Sequence, residues 1–136
     1  MAEKKLFYTP KAPKPKGPYS QAVIHNGLLY ISGQVPVNPE TGLIVRSTIE
    51  EETKTVLNNI KIIVEAAGAS MEGVLKVTCY LADMDDFARF NNVYKEYFEK
   101  EPPARTALQA GKLPLDVQVE IDAVVALPYN KVESRE

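Results

Sequence analysis

The chain has 136 residues, 45% of them hydrophobic and 25% charged, the composition of a folded domain with its own apolar core. A formal net charge of -2 offers no overall basic field to nucleic acid or to an anionic membrane. A single cysteine and a single histidine exclude an internal disulfide and a cysteine metal cage, and they argue against a zinc site.

No segment reaches the roughly 20 apolar residues of a membrane span. Met1-Ala2-Glu3-Lys4-Lys5 is followed by no apolar run of a secretory leader, so the expected address is the cytoplasm. Residues 1–136 read as one domain, with residues 1–10 and the tail 128–136 expected to be peripheral. Residues 9–18 hold four prolines and cannot be helix or central strand; they predict an extended, polyproline-like arm. Its lysines, Lys11, Lys14 and Lys16, with Lys4 and Lys5, suit a solubilising segment better than a nucleic-acid patch.

Ser20–His25 and Leu28–Gly33 are short strand-like runs around Asn26-Gly27, a dipeptide that favours the positive φ angles of a type I′ hairpin turn. Residues 34–44 suit a surface loop. Thr48, with Glu51 three residues on, predicts a capping box. The helix it opens carries Ile49, Thr53, Val56, Leu57, Ile60, Ile63, Val64 and Ala67 on one stripe, and Gly68 stops it. Val74–Ala82 predicts a strand. Asp83 predicts the cap of a second helix, whose Phe87, Phe90, Tyr94, Tyr97 and Phe98 form an aromatic face expected to pack in the core.

Pro102-Pro103 ends that helix. Ala104–Ala110 predicts a further strand, Gly111–Asp116 a connection. Val117–Leu127 alternates apolar and polar residues, as a strand with one buried face does. The order β-β-α-β-α-β-β gives an α+β architecture with two helices on one sheet face. The other face is left open to water or to an oligomer.

Two charged residues stand out. Arg105 follows the two prolines and opens a strand; a guanidinium can grip a carboxylate with two parallel hydrogen bonds, although composition alone favours a solvated strand-end arginine or a surface salt bridge. Glu120 sits mid-strand among valines and isoleucines, where a carboxylate can serve in proton transfer or simply face water. Ser32-Gly33-Gln34 ends a strand with a glycine that lets a ligand approach the backbone. Tyr19 and Asn91 could line a pocket. His25, beside the turn, is expected to be solvated; Cys79, in an apolar strand, is expected to be a buried, inert thiol. No phosphate-binding glycine loop or nucleophile-elbow motif is present.

Taken in order, Gly17-Pro18-Tyr19-Ser20-Gln21-Ala22, Ile31-Ser32-Gly33-Gln34-Val35-Pro36, Asn58-Asn59-Ile60, Val64-Glu65-Ala66-Ala67-Gly68, Asp86-Phe87 through Asn91 to Tyr94, Pro103-Ala104-Arg105 and Glu120-Ile121-Asp122-Ala123 resemble the RidA/YjgF family of reactive enamine and imine deaminases. The likeness runs from Lys11 to about Ala126. It implies a chorismate-mutase-like fold in a homotrimer, with the sheets lining a central β-barrel and clefts between neighbouring subunits.

The same resemblance implies hydrolysis of 2-aminoacrylate and related imino acids, such as 2-iminobutanoate and 2-iminopropanoate, to 2-keto acids and ammonia. It implies no metal and no organic cofactor. Arg105 matches the carboxylate clamp and Glu120 the acidic group that positions water; both are the expected catalytic residues. Gly33 matches a backbone contact, and Tyr19, Ser32 and Asn91 match pocket-lining positions. Relatives often carry cysteine where this chain has Ala107, so there the backbone can contribute to binding and a thiol cannot. The remaining expectations are a carboxylic-acid-binding regulatory module and an RNA-cleaving translation inhibitor, the second opposed by the acidic charge balance.

Overall fold

The computed structural model describes residues 3–128. Six strands, β1 (Lys5–Phe7), β2 (Ala22–His25), β3 (Leu28–Gln34), β4 (Val74–Leu81), β5 (Ala104–Gln109) and β6 (Val119–Ala126), accompany two helices, α1 (Ile49–Ala66) and α2 (Phe87–Tyr97). The strands form one mixed sheet in the order β1-β2-β3-β6-β4-β5. The β4–β5 pair is parallel and the other neighbours are antiparallel.

The hairpin forms where the dipeptide requires it: Asn26 and Gly27 have φ of 52° and 76°, and His25 pairs with Leu28 across the turn. His25 is half-buried there rather than fully solvated. Thr48 caps α1, its Oγ1 accepting from the Glu51 backbone N–H at 3.2 Å. The reciprocal bond comes from a different residue than the spacing predicts: Glu52 Oε2 accepts from Ser47 N–H at 3.4 Å. Gly68 ends the helix at φ 89°. Asp83 caps a 3-10 turn over Met84–Asp86 instead of the helix itself, which begins at Phe87.

Within the N-terminal segment, Lys5–Phe7 forms β1, a sixth strand at the sheet edge, and Thr9 is buried. Gln21, also buried, fastens the proline arm to β2. Its Oε1 accepts from Thr9 N–H at 2.8 Å, and its Nε2 donates to the carbonyls of Thr9 (3.2 Å) and Pro13 (3.1 Å). The arm is thus a fixed wall. Most of the expected tail, residues 129–136, lies outside the described residues.

Helix α1 packs on β3, β6 and α2. The stripe residues Val56, Leu57, Ile60, Ile63 and Val64 meet Leu29, Val77, Leu81, Val119, Ile121 and Val125 from the sheet, all at most 1% exposed. Each such side chain contributes roughly 1.5–3 kcal/mol by leaving water. On the surface Arg89 grips Glu50 through two bonds of 2.9 and 2.7 Å, which join the helices and hold the Glu50 carboxyl down at about 2. Of the aromatic face, Phe90, Tyr94 and Phe98 lie in the core as expected.

Cys79 is fully buried in β4, and burial pushes its thiol up to about 12. We therefore expect no labelling of native protein by a thiol reagent at neutral pH, and one equivalent per chain after denaturation. Labelling of the native protein at the rate of a free thiol would contradict the burial.

The opposite sheet face carries Tyr30, Thr78, Tyr80, Asp122 and Val124, none of them buried. There the Tyr80 hydroxyl donates to Asp122 Oδ2 at 3.2 Å. Strand β5 is an edge strand on which only Ala107 is even partly buried. Such a strand offers its free backbone groups to a neighbour.

Candidate functional site

Arg105 and Asn91 meet. Arg105 Nη1 donates to Asn91 Oδ1 at 2.7 Å, and the guanidinium carbon lies 4.7 Å from the Tyr94 ring centre and 5.3 Å from that of Phe87. Phe87, Asn91 and Tyr94 share one face of α2, since they follow i, i+4, i+7 spacing. The two rings hold the flat cation by its faces. Burial raises the Tyr94 hydroxyl to about 12, so this ring stays a neutral phenol at working pH. Among the described residues no carboxylate lies within ion-pair distance of Arg105. With one N–H spent on Asn91, the exposed guanidinium keeps donors for a carboxylate from outside. Ala107 points to the same side, because Arg105 pairs with Val77 and Ala107 with Cys79.

Glu120 belongs to a second cluster. Strand β3 bulges at Ser32-Gly33: Ile31 pairs with Ala123 and Gln34 with Ile121, so two residues oppose one. Ser32 anchors the bulge, its N–H donating to Gln21 O at 3.1 Å and its hydroxyl to Ser20 O at 2.6 Å. The Glu120 carboxyl lies over Gly33. A Cβ built on Gly33 would overlap Glu120 Oε2 and stand 3.0 Å from its Cδ, so only glycine leaves room. Burial, and then the nearby charge of Asp122, raises the Glu120 carboxyl above the usual carboxylate range. A carboxylate shifted upward in a cleft is suited to general acid–base work.

Gly33→Ala is expected to push the Glu120 carboxyl aside while leaving the sheet intact, since the obstructed atoms are the far end of a flexible side chain. Circular dichroism and melting should stay near wild type while turnover falls. Equal activity in the variant would show that this placement does not matter.

Glu120, Ser32, Gly33 and Tyr19 line one cleft of about 710 Å³, walled on its outer side by the proline arm. Tyr19 stands at its surface, 53% exposed. The predicted residues therefore fall into two groups: Tyr19, Ser32, Gly33 and Glu120 in the cleft, and Asn91, Arg105 and Ala107 at the sheet edge. The groups are apart within one chain. Arg105 shares the helix-covered side with Val77, whereas Glu120 pairs with Tyr80 on the open side, and β4 separates their strands. Two strand spacings amount to about 10 Å. The aromatic cradle of Phe87 and Tyr94 and the anchoring by Gln21 were not evident from sequence. The i, i+4, i+7 spacing of Phe87, Asn91 and Tyr94 was the available clue to the first.

The sequence model of the family described as endoribonuclease L-PSP matches residues 9–127. The chain belongs to this family, that of YjgF and RidA. It is 52% identical over 121 residues to a RutC family protein of Pyrococcus horikoshii, covering 89% of this chain and 96% of that one. To a protein of Bos taurus named 2-iminobutanoate/2-iminopropanoate deaminase it is 46% identical over 121 residues, 89% of this chain and 88% of the other. Among solved structures, E. coli TdcF with bound serine matches with a TM-score of 0.85 at 38% identity, covering 91% of this chain and 98% of TdcF. The mixed sheet with two helices is the fold of these YjgF/L-PSP relatives. Among the described residues no helix is long and apolar enough to cross a membrane.

Proposed function

We propose that this protein hydrolyses small 2-imino acids, and their enamine tautomers such as 2-aminoacrylate, to 2-keto acids and ammonia, as a cytoplasmic homotrimer whose sheets line a central barrel. One observation carries the reading. A guanidinium that keeps donors free beyond its bond to Asn91 stands on an exposed edge strand, while a carboxylate of raised proton affinity stands in a cleft lined, among the described residues, by Lys14 and Lys16 but by no arginine. Each half supplies what the other needs, and a neighbouring copy of the chain can bring them together. The bovine relative's name supports the reaction class, and the serine held by TdcF is a small acid of matching size with nitrogen on the carbon next to its carboxylate.

In this reading Arg105 binds the substrate carboxylate and Asn91, Phe87 and Tyr94 keep the guanidinium in plane. Glu120, from the adjoining copy, holds a water and takes its proton as the oxygen attacks the imine carbon. Glu120 returns that proton to the imine nitrogen, giving the neutral carbinolamine. It then takes the hydroxyl proton as the C=O bond forms and the C–N bond breaks, and passes it to the nitrogen, which departs as ammonia. Placement in the cleft does most of the work, since imines already hydrolyse slowly in water.

The decisive assay follows keto-acid formation while a dehydratase releases 2-aminoacrylate with and without this protein. A rate no faster than buffer would reject the proposal. The family's description as an endoribonuclease makes an RNA-cleavage arm part of the same experiment. The net charge of -2 leads us to expect none. Binding of 2-ketobutyrate by calorimetry without hydrolysis of any imine would point to a regulatory module instead.

A further inference from the structure

We propose that Leu115 sets which substrate side chain the cleft accepts. This rests on the deaminase reading and adds a residue to it that neither the predicted site nor the family resemblance supplied.

Leu115 and Asp116 sit side by side in the left-handed backbone region, with φ of 58° and 54°. L-residues enter that region at a cost, and two in succession persist only where the surroundings hold them. The surroundings here are specific. Leu113 and Val117, on either side of the turn, are buried at 6% and 1% exposure. Arg46 Nη2 donates to the Leu115 carbonyl at 2.9 Å, across 69 residues of chain. Directly after the turn, Gln118 is fixed by the buried Glu52: its backbone N–H donates to Oε1 at 2.9 Å and its side-chain amide to Oε2 at 2.7 Å.

All this restraint does not bury Leu115, which stays 61% exposed. Packing therefore does not repay the strained backbone. What the turn accomplishes is placement: Leu115 lines the same cleft as Gly33 and Glu120, together with the apolar Ile44 and Val35. An imino acid has three substituents on its reacting carbon. The carboxylate goes to Arg105, the nitrogen leaves, and the third is the side chain. An apolar residue held at the cleft wall, five positions before the carboxylate that handles water, is suited to meet that third substituent. Arg46 is the positioning residue behind it.

The test compares kcat/KM for imines generated by an amino-acid oxidase from alanine and from leucine. Leu115→Gly is the cleanest variant, because glycine is at ease at positive φ and the fold should melt no lower than wild type. It is expected to move the leucine-to-alanine ratio by roughly tenfold toward the larger substrate, the scale on which apolar pockets discriminate alkyl groups. Arg46→Ala should move the ratio in the same direction by less. A ratio within twofold of wild type, or an equal fall on both substrates, would overturn the assignment.

Calorimetry with pyruvate and 2-ketoisocaproate separates this inference from the reading it rests on. If wild type hydrolyses no imine but Leu115→Gly still reverses the order of keto-acid affinity, the deaminase fails and the role of Leu115 stands. If neither ratio moves, the role of Leu115 falls whatever the reaction is.

Discussion

Arg105→Ala is expected to lower kcat/KM on 2-aminoacrylate by about 10²–10⁴, the loss of two hydrogen bonds to a charged group at about 1.5–3 kcal/mol each. The variant should fold normally, because the guanidinium is exposed and lies on an edge strand. Arg105→Lys should recover little of the loss. A lysine ammonium keeps the charge but cannot lie flat between Phe87 and Tyr94 while presenting a planar fork. Steady-state rates over a range of substrate concentrations check this; an alanine variant within a few-fold of wild type would remove Arg105 from the site.

Glu120→Gln is expected to show the opposite balance of activity and stability. As general base, Glu120 must be ionised, so wild-type kcat/KM should fall as the pH drops through a value above 4.5, the direction in which burial and Asp122 move it. The glutamine variant should lose that acidic limb together with about 10²–10⁴ in rate. Stability runs the other way. A raised value means that the folded chain holds the proton more tightly than the unfolded chain does. Its stability therefore declines as pH rises from 4.5 through the raised value, and the cost is fully present above that value. Glutamine removes that cost, so Tm at pH 7 should increase, while the two proteins should melt alike in acid once Glu120 is protonated. A variant less stable than wild type at pH 7 would mean that the carboxylate is structural.

Local chemistry made much of this fold legible. The Asn26-Gly27 turn, the stripe and stop of α1, and the alternation of β6 are each written within one segment, and the structure has them in place. Strand β1 was not legible, because Lys5-Leu6-Phe7 is short and its partner β2 lies beyond the proline arm. A buried glutamine looks like any other glutamine, so the hold of Gln21 on Thr9 and Pro13 is a tertiary fact. The site shows the same division. Alternation indicates that Arg105 and Ala107 share a side, and that Glu120 and Asp122 share one. Whether those two sides coincide depends on the register of β5 on β4 and of β4 on β6, which no single strand carries. The bulge at Ser32-Gly33 was visible only as a glycine in a strand.

The opposed faces of Arg105 and Glu120 bear on heredity as well as on chemistry. In the proposed ring each reaction centre borrows its cation from one copy and its base from the next, so two inactive proteins can complement each other. Chains with Arg105→Ala, co-assembled in equal amounts with chains carrying Glu120→Gln, should regain about one working centre in four by random mixing around a closed ring. Simply combining the two pre-formed proteins should regain none until the subunits exchange.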